Sequence, residues 1–179
     1  MILSLLKTTS RLFIFAGGLL LGIQVPNFVD QYERRIDAHY LEVSANISGF
    51  QSTADLLFSG NMEALIAYYA DSNDLVFESD AQSIRSIVDR YNRISKEREA
   101  LSGNIFAAAM HVILYADDEF IGETFDQYGY TVPLNMLAIT WGLAIALLLT
   151  IASDLGLFAC VKCAGLIGRR KKKNQLKSL

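Results

Sequence analysis

Three observations predict an all-α protein in which two transmembrane helices flank a small extracytoplasmic, antiparallel helical domain. Long apolar blocks sit towards both ends of the 179-residue chain. Charge is sorted along it. Between Pro26 and Thr131, ten Asp and eight Glu stand against seven Lys and Arg, a net of −11. The two ends hold nine Lys and Arg against Asp154, a net of +8, so the overall −3 hides an acidic middle between basic ends. Across that middle, apolar residues return at steps of three and four, the period of a helix face, and no convincing alternation marks a strand.

Residues 1–11 form a short N-terminus in which Lys7 and Arg11 precede the first apolar block. That block, Leu12 to Val25, continues to Val29 if a helix passes Pro26, and the first span is assigned to residues 12–29. It lies near the lower end of the roughly 17–25 residues a spanning helix needs. A secretory signal peptide is the competing assignment. The apolar core exits through Gln24-Val25-Pro26-Asn27, without a small-x-small cleavage site, which favours an uncleaved anchor. The second block is stronger. Val132 to Ser153 carries no charge, Pro133 suits a first helical turn, and the second span is assigned to residues 132–154.

Lys and Arg are retained on the cytoplasmic side of a membrane. Lys7 and Arg11 before the first span, and Arg169, Arg170, Lys171, Lys172, Lys173 and Lys177 after the second, agree on one orientation. Both termini are then cytoplasmic, and residues 30–131 form the exported domain. In it, Phe28, Tyr32, Ile36, Tyr40, Val43, Ile47 and Phe50 define one helical face. Met62 to Ala70 reads as a short helix, and Ser79 or Asp80 can cap the next long one. A second apolar seam runs from Ile84 through Ile87, Tyr91, Ile94, Leu101, Ile105 and Ala108 to Val112, interrupted by Arg98. A last short helix is expected from Asp118 to Tyr128. The domain has no cysteine, so packing alone must hold it.

Sites of chemistry are few. Cys160-x-x-Cys163 supplies half of a structural zinc site, and by this topology His39 and His111 lie across the membrane from it. His39-x-x-Glu42 is a single pair, and Asp71-Ser-Asn-Asp74 lacks the glycine and twelfth-position carboxylate of a calcium loop. Asp117, Asp118, Glu119, Glu123 and Asp126 read as a solvated acidic face that could bind divalent cations loosely. Nucleotide-binding glycine loops and nucleophile elbows are absent from the sequence. No catalytic, cofactor or metal residue is assigned.

Small residues carry the clearest pattern. Gly18 and Gly22, then Ala138, Gly142 and Ala146, then Gly156, Cys160 and Ala164, recur at every fourth residue. Such faces let membrane helices approach closely and are assigned to helix packing. The run Arg169 to Lys173 is assigned to anionic lipid headgroups and residues 169–179 to a basic cytoplasmic tail. The apolar segment 155–168 either lies along the membrane surface or continues through the bilayer. Asp154 falls near the cytoplasmic interface.

Gln24, Pro26, Phe28, Gln31, Tyr32 and Arg35 form a Q-x-P-x-F-x-x-Q-Y-x-x-R stretch after a glycine-rich apolar segment. With Arg90-Tyr91-x-x-Ile94 and Val132-Pro133-Leu134, this resembles the family called domain of unknown function 2937, over residues 12–152. The resemblance implies a bacterial inner-membrane protein with a periplasmic helical domain, and transfers no catalytic residue. The extension from Leu155 to Leu179 departs from the pattern. Pro26, Phe28, Gln31, Tyr32 and Arg35 are expected to fix the junction of span and domain, Phe28 and Tyr32 by packing and Arg35 by pairing with a carboxylate. The functional expectation is a non-enzymatic accessory or self-assembling scaffold subunit. Its partners would be membrane lipids and either further copies or other inner-membrane proteins, not nucleic acid. The competing expectation is a periplasmic ligand or stress sensor that signals through a separate cytoplasmic partner.

Overall fold

A computed structural model describes the backbone of residues 2–175 and the side chains of residues 5–156, Phe158 and Lys162. The described residues form six helices and no strand: α1 (Ile2–Leu57), α2 (Met62–Ala70), α3 (Leu75–Leu101), α4 (Ile105–Leu114), α5 (Asp118–Asp126) and α6 (Met136–Gln175). They divide into two compact units. One takes the chain up to Asn27 and again from Tyr130; the other is Phe28–Gly129.

α1 and α6 are long and apolar enough to cross a membrane, by length and composition. α1 is uninterrupted for 56 residues, although Pro26 removes one backbone donor from its interior. α6 starts later than Pro133 suggests, because the Asn135 side chain accepts from the Ala138 amide at 2.7 Å and so caps the helix there. Beyond Asp154 it continues as helix to Gln175.

In the second unit the core is drawn from every helix: Ile36 and Val43 of α1, Leu65 and Ile66 of α2, Ile84 and Ile94 of α3, Val112 of α4 and Phe120 of α5. One cluster joins Ile66, Ala81 and Ile84, with Phe50, Met62, Tyr69 and Val88 packed against it. The chain reverses after α1 through Ser59 and Gly60, both at positive φ. Gly60 (φ 80°) is where that conformation costs least, since it has no Cβ.

Within this unit three boundaries differ from the sequence reading, each through a side chain or backbone group that captures an orphan partner at a helix end. α3 begins at Leu75 because Asp74 accepts from the Val76 amide, so neither Ser79 nor Asp80 caps it. The seam from Ile84 to Val112 is two helices, broken at Ser102-Gly-Asn104, with Asn104 capping α4. α5 stops at Asp126, where the Gln127 amide donates to the Glu123 carbonyl and the Tyr128 amide to that of Phe125. The period of three and four is preserved across the Ser102–Asn104 break, which hides it.

Candidate functional site

The first unit is built around a contact of backbones. A Cβ added at Gly22 would lie 2.7 Å from Gly142 Cα and 2.9 Å from the Trp141 carbonyl oxygen. One added at Gly18 would lie 2.9 Å from Ala146 Cα. Gly142 is equally confined, by Ile23 and by Leu19, and Ala138 and Ala146 are fully buried. Gly18, Gly22, Gly142 and Ala146 therefore come together within one chain, and Ala138, one turn before Gly142, is buried as well. Gly156 does not join them, since a Cβ there would meet nothing within 4 Å. The side chains of Cys160 and Ala164, and of Arg169, Arg170, Lys171, Lys172 and Lys173, lie outside the described residues.

Two polar locks frame this seam. Arg11 and Asp154, 143 residues apart in sequence, form an ion pair, with Arg11 Nε donating to Asp154 Oδ1 at 2.7 Å. At the other end the Asn27 side-chain amide donates to the Thr131 carbonyl at 3.1 Å and to Gln24 at 3.0 Å. Beyond Asp154, Lys162 lays its ammonium over the Phe158 ring, 4.8 Å from the centroid, one helical turn away.

The second unit holds a network that the sequence disperses among unrelated features. Glu123 of α5 accepts from Arg35 at 3.2 Å and faces His39 Nε2 at 2.8 Å. Arg90 of α3 lies 3.2 Å from the other imidazole nitrogen, Nδ1. His39 thus joins α1, α3 and α5. The hydrogen bond from His39, then that from Arg35, holds the Glu123 carboxyl below the ordinary carboxylate range.

A second carboxylate plays the same part nearby. Glu97 of α3 accepts from Tyr32 at 2.8 Å and faces His111 Nε2 at 2.9 Å, joining α1, α3 and α4. Burial, and then the bond to Glu97, push the Tyr32 hydroxyl far above its usual range, so it remains a donor. Fully buried Phe120 packs beside the first of these centres: the His39 ring lies 5.0 Å from it and Arg93 stacks on it at 5.3 Å. Arg93 also pairs with Glu119 and Asp117.

The junction residues fall into this frame. Pro26 is buried. Phe28 packs on Phe125 at 4.6 Å and on Tyr128 at 5.3 Å. Gln31 exchanges two hydrogen bonds with the Gly129 backbone. Tyr32 and Arg35 meet Glu97 and Glu123 as described.

Asp118, Glu119 and Asp126 are exposed, as a solvated acidic face requires, but Asp117 and Glu123 depart from that reading: Asp117 caps α5 and pairs with Arg93, and Glu123 is the acceptor for His39 and Arg35. Arg98, which interrupts the apolar seam in the sequence, stacks on Tyr40 at 4.6 Å and bonds Asp37 at 2.7 Å. The pairings of His39 with Arg90 and of Glu97 with His111 are ones that sequence reasoning misses. The only sequence signal of these four residues is that each lies three or four residues from a core position on its own helix, facing the same way. Among the described residues, no group of three or more His, Cys, Asp or Glu is placed to hold a metal ion. The histidines and carboxylates instead satisfy one another, which suits fastening helices.

The family model described as protein of unknown function (DUF2937) matches residues 6–164. The chain belongs to this family. In this DUF2937 member the match runs beyond residue 152, so the segment with Cys160 and Cys163 lies inside the family's extent, contrary to the motif reading. The basic run from Arg169 lies outside it. No curated protein and no solved structure matches the chain.

Proposed function

We propose that this protein is a non-enzymatic, two-span inner-membrane scaffold or accessory subunit, with both termini cytoplasmic and the acidic helical unit in the periplasm. The observation that carries this reading is the backbone contact at Gly18, Gly22, Gly142 and Ala146, between the two helices long enough to span. In lipid there is no hydrophobic gain from pairing two apolar helices, and close backbone approach through small residues is what holds them. The residue numbers support antiparallel packing. Gly18 opposes Ala146, Gly22 opposes Gly142 and Arg11 opposes Asp154, so one partner rises as the other falls. Tyr32 with Glu97, Asp37 with Arg98, and Tyr40 with Tyr91 support the same arrangement of α1 and α3.

Since the small-residue seam is occupied within the chain, assembly falls to other surfaces. Leu56, Leu57, Tyr68, Leu75 and Val76 are all strongly exposed around the α1–α2–α3 turns and offer an apolar surface to another protein. Extraction in mild detergent should give a discrete complex larger than one chain, read by native mass spectrometry. A monomer alone would sink the scaffold reading. A reporter fused after Leu179 should report a cytoplasmic C-terminus.

The sensor reading is favoured by one observation. A groove of about 400 Å³ opens between Tyr40 and Tyr91, bordered by Glu33, Asp37 and Arg98. Its polar walls are suited to a small polar ligand, and α1 continues from them without a break.

A further inference from the structure

α4 has two faces of opposite fate. Ala108, Ala109 and Val112 are buried against the rest of the unit. Phe106, Met110, Ile113 and Leu114 are 64, 56, 67 and 56 % exposed. At about 100° per residue, the four exposed side chains fall within one arc of roughly 100°, opposite the buried three. This is a contiguous apolar face, and Tyr115 beside it is exposed too. From Ala100 to Ala116 the chain carries no Asp, Glu, Lys or Arg, inside a segment whose net charge is −11. The one titratable side chain on α4, His111, is turned inward onto Glu97.

The position of α4 within its unit is as informative as its composition. His111 reaches Tyr32 through their shared acceptor Glu97, and Tyr32 lies four residues after Phe28, where the unit begins. Phe125, 60 % exposed, packs on Phe28 at the same end. By covalent continuity alone, the segments read as spanning adjoin Phe28 and Gly129. The Leu57–Met62 turn lies about 25 residues of α1 further on, or roughly 38 Å at 1.5 Å per residue. α4 therefore belongs to the end of the unit that adjoins, along the chain, the segments read as spanning.

We propose that α4 is an interfacial membrane helix, with Phe106, Met110, Ile113 and Leu114 resting in the boundary between headgroups and acyl chains. The proposal rests on the two-span reading above. An acidic unit held close to anionic headgroups is repelled, so its contact must be made by an uncharged surface. An apolar face carrying aromatic rings, on a helix too short to span, fits that boundary. α4 would give the unit a contact with the membrane of its own, in addition to the continuous helix α1.

The test uses the full chain in nanodiscs of phosphatidylcholine and phosphatidylglycerol, with Cys160→Ser and Cys163→Ser as background. An environment-sensitive fluorophore is attached to Met110→Cys, Ile113→Cys, Leu57→Cys or Leu143→Cys. Doxyl lipid should quench the label about two-fold or more at Met110→Cys and Ile113→Cys, given a helix depth of roughly 5–10 Å. Label at Leu57→Cys should be unaffected. Leu143→Cys, within α6, reports the spanning reading separately, and absence of lipid quenching there would remove that reading. Quenching at Leu143→Cys with none at Met110→Cys and Ile113→Cys would overturn the α4 proposal alone. Protection of those two labels from aqueous iodide without lipid quenching would assign the face to a protein partner and overturn it equally.

Discussion

The two units of this chain hold their helices together by contrasting means. Around Gly22 and Gly142 the helices touch backbone to backbone, and even one methyl group would come to 2.7 Å from its neighbour. Around His39, Glu97 and Glu123 they are held by side chains that reach across, each carboxylate accepting from two partners on other helices. The difference follows from what each surface can gain. On the two-span reading proposed above, two apolar helices surrounded by lipid gain little from burial, so contact area and close approach decide. On the same reading the other unit faces water and gains from burial, and its polar groups must then be satisfied at each place where helices meet.

The largest expected effect breaks the first mode. Arg11→Cys and Asp154→Cys, on the Cys160→Ser, Cys163→Ser background, should be joined by a short bifunctional thiol reagent that replaces the reach of the Arg11 side chain. Adding Gly22→Leu or Gly142→Leu should abolish the cross-link, because backbone cannot yield as a flexible side chain would. Gly156→Leu should leave it intact, since that position faces open space. Equal effects at Gly142 and Gly156 would contradict the seam.

In the second mode, Phe120→Ala should cost about 3–5 kcal/mol, since the ring is fully buried between His39 and Arg93. Hydrogen exchange of α3 and α5 amides in the intact protein reads that loss. Tyr32→Phe should cost about 1.5–3 kcal/mol in the same measurement, by removing a donor to a carboxylate while His111 still satisfies Glu97.

A smaller effect is set by pH. The folded state favours ionised Glu123, so its stabilisation is present above the unfolded value of about 4.3 and is lost as pH falls through the lowered folded value. Glu123→Gln should therefore flatten the acid limb of the stability profile below the ordinary Glu range. An unchanged limb would remove Glu123 from the network. The smallest effect belongs to Arg34→Ala. Arg34 pairs with Asp30 on its own exposed surface, and stability should change by less than about 0.5 kcal/mol.

How legible these two modes are in the sequence differs for a physical reason. Glycine and alanine at every fourth residue are a local pattern, so Gly18, Gly22, Gly142 and Ala146 stand out as packing positions from residue order alone. That Gly156 shares the pattern and not the contact does not show there, because the stripe is longer than the crossing. The polar network leaves almost no local trace. His39 and Glu123 are 84 residues apart, and each lies among other charged residues of equal plausibility as partners. With eighteen carboxylates and seven cations in the middle segment, composition permits many pairings.

The sequence by itself determined the helical character, the two apolar segments, the sorting of charge and the small-residue faces. Each is written within a few turns of one helix, where period and composition act directly. Only the tertiary structure decided that Arg11 meets Asp154, that His39 is clamped between Glu123 and Arg90, and that the apolar seam breaks at Asn104. Those outcomes depend on which helix faces are brought within hydrogen-bond reach, a distance that the one-dimensional order of residues does not contain.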